Sequence, residues 1–75
     1  MSPRLPQCSA RQVIATLKKA GFEESHQKGS HCYLYQDVGK RTTTVPIHPG
    51  DIKRPLLKKI LKQAGLTEDA FRELL

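Results

Sequence analysis

A strand-like middle segment between two helical patterns is the feature that most limits how this chain can fold. Apolar residues recur at helical spacing near the N-terminus and again beyond residue 50. Between them, the alternation over residues 31–35 predicts a strand with Cys32 and Leu34 on its buried face. The opposite face then carries His31, Tyr33 and Tyr35. With 75 residues, the chain has room for one domain with a small core.

The N-terminal part divides into an extended lead-in over residues 1–8 and the start of the domain, which we assign to residues 9–75. Ser9 and Gln12 fit a capping box, in which each side chain bonds the backbone of the other residue. The box predicts a first helix over about residues 10–20.

Three strands are predicted in the middle of the chain. The first is a polar edge strand over about residues 22–28, and the second begins at His31. A turn over residues 37–40 leads into the third strand, over residues 41–47, which pairs back as a hairpin. Pro46 in that strand lacks a backbone donor, which indicates a position near a sheet edge.

Two further helices complete the prediction. The second helix is expected over Ile52–Ala64, with Asp51 as its N-cap and Pro55 in its first turn. Thr67 is expected to cap a short last helix. The order α-β-β-β-α predicts an α+β fold, with a three-stranded antiparallel sheet, two helices on one face and a short C-terminal helix.

The net charge of +6 is concentrated in the helical segments, which favours an anionic partner such as nucleic acid. Arg54, Lys58 and Lys62 are spaced to form one row along the second helix. Like charges at this spacing repel each other, so the row suits a helix that lies along a phosphate backbone. The same row also fits a solvated surface. The predicted phosphate contacts are Lys40, Arg41, Arg54, Lys58, Lys59 and Lys62.

Cys8 and Cys32 are expected to be free thiols, because the sequence shows neither a C-x-x-C pair nor a secretory signal. No apolar run is long enough to cross a bilayer. We therefore expect a cytoplasmic protein with no membrane partner, a monomer by itself. No spacing of histidines, cysteines or acids suggests a metal site or another cofactor.

Lys28, Gly29, Ser30 and His31 form the candidate site at the entrance of the second strand. Histidine titrates near neutral pH and can take or give a proton during phosphodiester cleavage, although a strand histidine can also be merely hydrogen-bonded. Lys28 could contact the phosphate, Gly29 could allow close backbone approach, and Ser30 could orient His31. The plain explanations are a solvated loop lysine for Lys28, a turn residue for Gly29 and local backbone capping for Ser30. His48 is either a second proton-transfer group or a structural residue of the strand-to-helix turn.

Three motifs in this chain resemble those of the HicA toxins. They are Gln-Lys-Gly-Ser-His after a helix that ends Ala-Gly-Phe, the segment Thr-Val-Pro-Ile-His-Pro-Gly, and the closing Leu-Leu-Lys-Lys-Ile-Leu-Lys-Gln-Ala-Gly-Leu-Thr. The resemblance covers about residues 9–71. It implies a double-stranded-RNA-binding-like fold, a toxin that cleaves mRNA without a metal, and a HicB antitoxin that covers the active site. It also places the catalytic histidine at His31.

The chain departs from the family pattern in two places. Many relatives carry a second histidine directly after the first, where this chain has Cys32, and the lead-in before Ser9 is longer than expected. The alternative functions are a small double-stranded-RNA-binding module without catalysis, and an interaction protein whose basic face docks an acidic partner. Tyr33 and Tyr35 could stack a base from the face of His31, or could simply pack within the sheet.

Overall fold

The computed structural model describes residues 5–75, which form two sheets and three helices. The elements in chain order are β1 (Cys8–Ser9), α1 (Ala10–Lys19), β2 (Glu23–Lys28), β3 (His31–Gln36), β4 (Arg41–Pro46), β5 (Asp51–Ile52), α2 (Arg54–Ala64) and α3 (Glu68–Leu74).

The main sheet is antiparallel, with the strand order β2-β3-β4. His31 at the start of β3 lies opposite Lys28 on one side and opposite Pro46 on the other. The β2–β3 ladder shifts register between Glu24 and His26, so β2 carries a bulge. Pro46 closes the edge strand β4, as its missing backbone donor predicts.

The core lies between one face of this sheet and the helices. Cys32, Leu34 and Val45 point into it and are at most 1% exposed. The alternation over residues 31–35 is therefore confirmed, since the side chains between these buried ones are exposed or half-buried. The α+β fold class and its α-β-β-β-α order are also confirmed. The opposite face of the sheet carries His31, Tyr33 and Tyr35.

The first helix begins as its capping box predicts. The Ser9 hydroxyl accepts a hydrogen bond from the Gln12 backbone N–H at 3.2 Å, and the Gln12 side chain accepts one from the Ser9 backbone N–H at 2.9 Å. The helix ends at Lys19, and Gly21 follows with φ at +99°, which only glycine adopts without strain.

The predicted start of the second helix is wrong. The helix begins at Arg54 with Lys53 as its N-cap, and Asp51 does not cap it. Instead, Asp51 and Ile52 form β5 and pair antiparallel with β1. Sequence periodicity could not show this pairing, because each strand is two residues long and its partner is remote. Pro55 does lie in the first turn, where a missing backbone donor costs nothing.

The segment before α1 is packed from Leu5 onward. The Leu5 side chain is 2% exposed within the core, and its backbone carbonyl accepts a hydrogen bond from Arg54 Nε at 2.7 Å. Residues 1–4 of the predicted lead-in lie outside the described residues. The N-terminal segment therefore contacts the start of α2 in two ways, through the Leu5–Arg54 hydrogen bond and through the pairing of β1 with β5.

The last helix closes the open end of the core. The Thr67 hydroxyl accepts from the Ala70 backbone N–H at 3.1 Å, which confirms the predicted cap. Phe71 is fully buried, and Lys19 Nζ donates to the Leu74 carbonyl at 3.1 Å. These contacts join α3 to α1.

Candidate active site

The tight turn between β2 and β3 positions His31 at the edge of the structure. Gly29 has φ at +58°, a conformation that favours glycine, and a side chain built there would meet no atom within 4 Å. The backbone of Gly29 therefore faces open space. His31 follows two residues later as the first, exposed residue of β3.

His48 reaches the same region because of the β3–β4 pairing. His31 lies opposite Pro46, and the next backbone N–H, that of Ile47, donates to the Ser30 carbonyl. This bond extends the contact between the two chain segments beyond the ladder. The chain then turns towards β5 with His48 exposed. The two histidines are 17 positions apart in the chain, yet they border the same depression.

That depression, the His31 groove, has a volume of about 480 Å³ and lies between the sheet and α2. Its lining residues are Ser30, His31, Thr44, Pro46, His48, Leu56, Lys59, Ile60 and Gln63. Two imidazoles, two hydroxyls, an amide and an ammonium group thus share one concave surface with three apolar side chains. Such a mixture of apolar walls and a few convergent polar groups is typical of a ligand site.

The basic residues predicted to bind phosphate are distributed unevenly around the groove. Lys59 lines it, whereas Lys58 and Lys62 are exposed on α2 outside its lining. Lys28 is paired with His31 across the β2–β3 ladder but does not line the groove either. Arg54 is half-buried and is held by the Leu5 carbonyl.

Lys40 and Arg41 lie at the other end of the sheet. Arg41 pairs with Gln36, five residues from His31 along β3, a separation of roughly 17 Å for an extended strand. The Arg41 side chain lies across Gly65, so closely that a Cβ at Gly65 would come within 2.5 Å of Arg41 Nε. Glycine suits the end of α2 because φ there is +72°, and the contact places the Arg41 side chain against the C-terminal end of α2, apart from the residues that line the His31 groove.

Cys32 is the nucleophilic side chain nearest to His31 in sequence, but it lies on the buried face. Its thiol donates a hydrogen bond to Glu24 Oε1 at 2.9 Å. Burial and this carboxylate raise the Cys32 pKa to about 11, so the thiol stays protonated at neutral pH. Burial likewise raises the pKa of Cys8, with a smaller effect from Asp51. Both cysteines are free.

Sequence reasoning missed the part of the groove that α2 contributes besides Lys59. Leu56 and Ile60 follow helical spacing and look like ordinary core residues, and nothing in the sequence aligns them with β4. Sequence reasoning also gave no role to His26. In the structure the His26 ring stacks on the Tyr33 ring, with centroids 4.5 Å apart and planes 10° apart. A polar histidine in a strand register opposite a tyrosine is a signal for such a pair.

Two further features concern the described residues. Within residues 5–75, no group of three histidine, cysteine or acidic side chains is placed so that it could hold a metal ion. None of the helices in the same range has the length and apolarity needed to cross a bilayer.

Comparison with known families decides what kind of protein carries this groove. A family model described as "HicA toxin of bacterial toxin-antitoxin" matches residues 10–66. The chain belongs to the HicA toxin family. It is therefore a toxin of a toxin–antitoxin system, and the family implies an antitoxin partner. The match includes both histidines of the groove and stops short of β1 and α3. No curated protein matches the chain.

Proposed function

We propose that this HicA toxin is an endoribonuclease that cleaves mRNA without a metal ion. The observation that carries the proposal is the pairing of His31 and His48 along one groove together with Lys59. Two imidazoles beside a cation are the parts that cleavage of a phosphodiester by proton transfer requires. His31 is the catalytic residue that the family resemblance also indicates.

The chemistry uses the ribose 2′-OH as the nucleophile. A histidine takes the 2′-OH proton while the 2′-oxygen forms a bond to phosphorus. The bond between phosphorus and the 5′-oxygen then breaks, and an acid protonates that leaving oxygen. The products are a 2′,3′-cyclic phosphate and a 5′-hydroxyl end. His31 serves as one proton-transfer group and His48 as the other. If His48 only shapes the turn, water replaces it.

Charge stabilisation comes from the groups around the two histidines. Lys59 faces the groove and offsets the charge that develops on the phosphate oxygens. Ser30 also lines the groove and can orient His31 or donate to the phosphate. The open space at Gly29 lets the RNA backbone approach closely, beside Lys28. Lys58 and Lys62 extend the positive surface along α2 and position the strand.

The antitoxin partner is proposed to be a HicB-type protein that covers the His31 groove. The support is geometric, because the groove is open and positively charged and both histidines are exposed. An acidic antitoxin surface placed over Lys59 would exclude RNA from both histidines. We propose a cytoplasmic location for both partners.

The experiment that tests the proposal uses purified protein and end-labelled RNA in excess EDTA. We expect wild type to cleave, and His31→Ala to bind RNA, fold normally and leave it intact. Added imidazole should partly restore cleavage by His31→Ala, since it replaces the missing proton-transfer group. An RNA with one 2′-deoxy sugar at the cleavage position should resist wild type at that position.

Each result has a definite meaning. Cleavage by a well-folded His31→Ala protein would remove His31 from the mechanism, and cleavage that disappears in EDTA would contradict metal independence. Cleavage of the 2′-deoxy position would exclude the 2′-OH as nucleophile. Binding by wild type without any cleavage would instead favour a double-stranded-RNA-binding module. Growth inhibition by wild type but not by His31→Ala should accompany cleavage.

A further inference from the structure

The open face of the main sheet carries an aromatic pair that the fold does not use for its core. Tyr33 is half-buried and His26 is exposed, while the helices pack against the face that bears Cys32 and Leu34. The two rings nevertheless lie stacked, 4.5 Å apart and 10° from parallel. The two planar side chains therefore lie outside the core, on the face of the sheet opposite to Cys32 and Leu34.

The strand register places this pair directly beside the proposed catalytic residue. Lys28 and His31 form one cross-strand pair, and His26 and Tyr33 form the next pair on the same face of the sheet, with the pair Gln27 and Cys32 between them. Alternate residues of a strand share a face, so His31 and Tyr33 are separated by roughly 7 Å on the same side of the sheet. Thr44, the β4 partner of Tyr33, also lines the His31 groove. The His31 groove and the aromatic pair therefore adjoin each other on this face.

The charged side chains on this face differ between its two ends. Lys28 and His31 lie at one end, whereas at the other end Glu23 accepts a hydrogen bond from the Tyr35 hydroxyl at 2.9 Å. That hydrogen bond raises the Tyr35 pKa and keeps an acid at the far edge. A phosphate backbone is attracted by Lys28 at the first end, whereas beside Tyr35 it would meet the Glu23 carboxylate, and Lys40 and Arg41 lie in the turn and strand end beyond. Tyr33 lies between the two ends and is the tyrosine nearer to His31.

We propose that His26 and Tyr33 form a stacking platform for one base of single-stranded RNA, next to the phosphate that is cleaved. Stacking on an aromatic ring needs no particular base, because every base has a planar face. The platform would hold the strand unpaired and extended at His31. The proposal rests on the proposed function only in taking RNA as the ligand, because base binding can be measured without cleavage.

The test uses a short 2′-O-methyl oligoribonucleotide, which lacks the nucleophilic 2′-OH and cannot be cleaved. Binding is measured by fluorescence anisotropy, with an abasic site moved through the oligonucleotide one position at a time. We expect one abasic position to weaken wild-type binding about tenfold, the usual size of one base–aromatic contact. Tyr33→Leu, which keeps an apolar side chain in the strand, should cause a similar loss.

The decisive measurement combines the abasic site in the oligonucleotide with Tyr33→Leu in the protein. If the missing base is the one that contacts the platform, Tyr33→Leu should lose no further affinity for that abasic oligonucleotide, because the contact is already absent. His26→Leu tests the second ring in the same way and serves if Tyr33→Leu does not fold. Tyr35→Leu is the matched control, as the same residue type on the same face at the acidic end, and should bind as wild type does.

Additive losses, or wild-type affinity in folded Tyr33→Leu and His26→Leu, would overturn the platform. So would a lack of binding to the oligonucleotide, which would leave this face to a protein partner instead. The outcomes are separable from the nuclease proposal. If the losses from the abasic site and from Tyr33→Leu are non-additive at one position, but the corresponding RNA is not cleaved, the platform stands and the nuclease is rejected. If the RNA is cleaved but the losses are additive, the nuclease stands and the platform is rejected.

Discussion

The Arg54 side chain is hydrogen-bonded to the backbone of Leu5, a residue remote from it in the chain. Its Nε donates to the Leu5 carbonyl at 2.7 Å, 49 positions away in the chain. Leu5 in turn buries its side chain in the core, and the β1–β5 ladder lies beside this contact. Arg54, which was predicted to bind phosphate, therefore makes a structural contact between the N-terminal segment and the first turn of α2.

The contact between Arg54 and Leu5, together with the burial of the Leu5 side chain, predicts that Leu5 contributes to stability although it precedes the first helix. Leu5→Ala removes a side chain that is 2% exposed and should lower the free energy of unfolding by about 2–5 kcal/mol. The measurement is urea denaturation followed by circular dichroism. Leu75→Ala is the control, since that leucine is 43% exposed and should change stability by about 0.5 kcal/mol or less. Equal midpoints for the two variants would mean that residues 5–9 are not part of the cooperative fold.

The role of His48 can be separated from that of His31 by the pH dependence of cleavage. If His48 transfers a proton, His48→Gln should lower kcat about 10²- to 10⁴-fold and remove one limb of the pH–rate profile. His26→Gln, outside the groove, should keep both limbs. A His48→Gln enzyme with both limbs intact and a lower melting temperature would instead assign His48 to the turn.

The exposed lysines of α2 are predicted to act on binding rather than on chemistry. Lys58→Glu combined with Lys62→Glu should weaken binding to RNAs of every sequence and reduce the slope of log affinity against log salt by about 1.4, two single-strand phosphate contacts. The matched control, Arg11→Glu with Lys18→Glu, makes the same change in net charge on α1, where both side chains are exposed. If both double variants lower the slope equally, total charge and not the α2 row sets affinity.

The buried Cys32 thiol predicts a loss of stability in alkaline solution. Its pKa is raised from 9.0 to about 11 in the folded protein, so between those pH values the folded state holds a proton that the unfolded chain has released. The free energy of unfolding must therefore fall as pH rises through this range. Cys32→Ala should show a shallower fall between pH 8 and 11, measured by urea denaturation at each pH.

Cys8 and Tyr35 also have raised pKa values and add to the alkaline loss in both proteins. The informative quantity is therefore the difference between the wild-type and Cys32→Ala curves. Curves that stay parallel from pH 8 to 11 would show that the Cys32 proton does not contribute.

Local sequence determined most of the elements of this toxin, because their causes lie within a few residues. The capping box at Ser9 started α1, alternation set the buried face of β3, and Thr67 capped α3. The motif around His31 pointed to the candidate catalytic residue for the same reason, because its residues are contiguous in the sequence. Local sequence predicted the start of α2 wrongly. Asp51 is a residue type that caps helices, but in the structure it pairs with Ser9 in the β1–β5 ladder.

Only the tertiary structure decided which residues share a site. The β3–β4 register brought His48 and Thr44 to His31, and the packing of α2 added Lys59 while leaving Lys58 and Lys62 outside. It also turned Arg54 inward and stacked His26 on Tyr33. These contacts join residues from different elements, and their geometry follows from how the sheet and helices pack around one core, which no short stretch of sequence records.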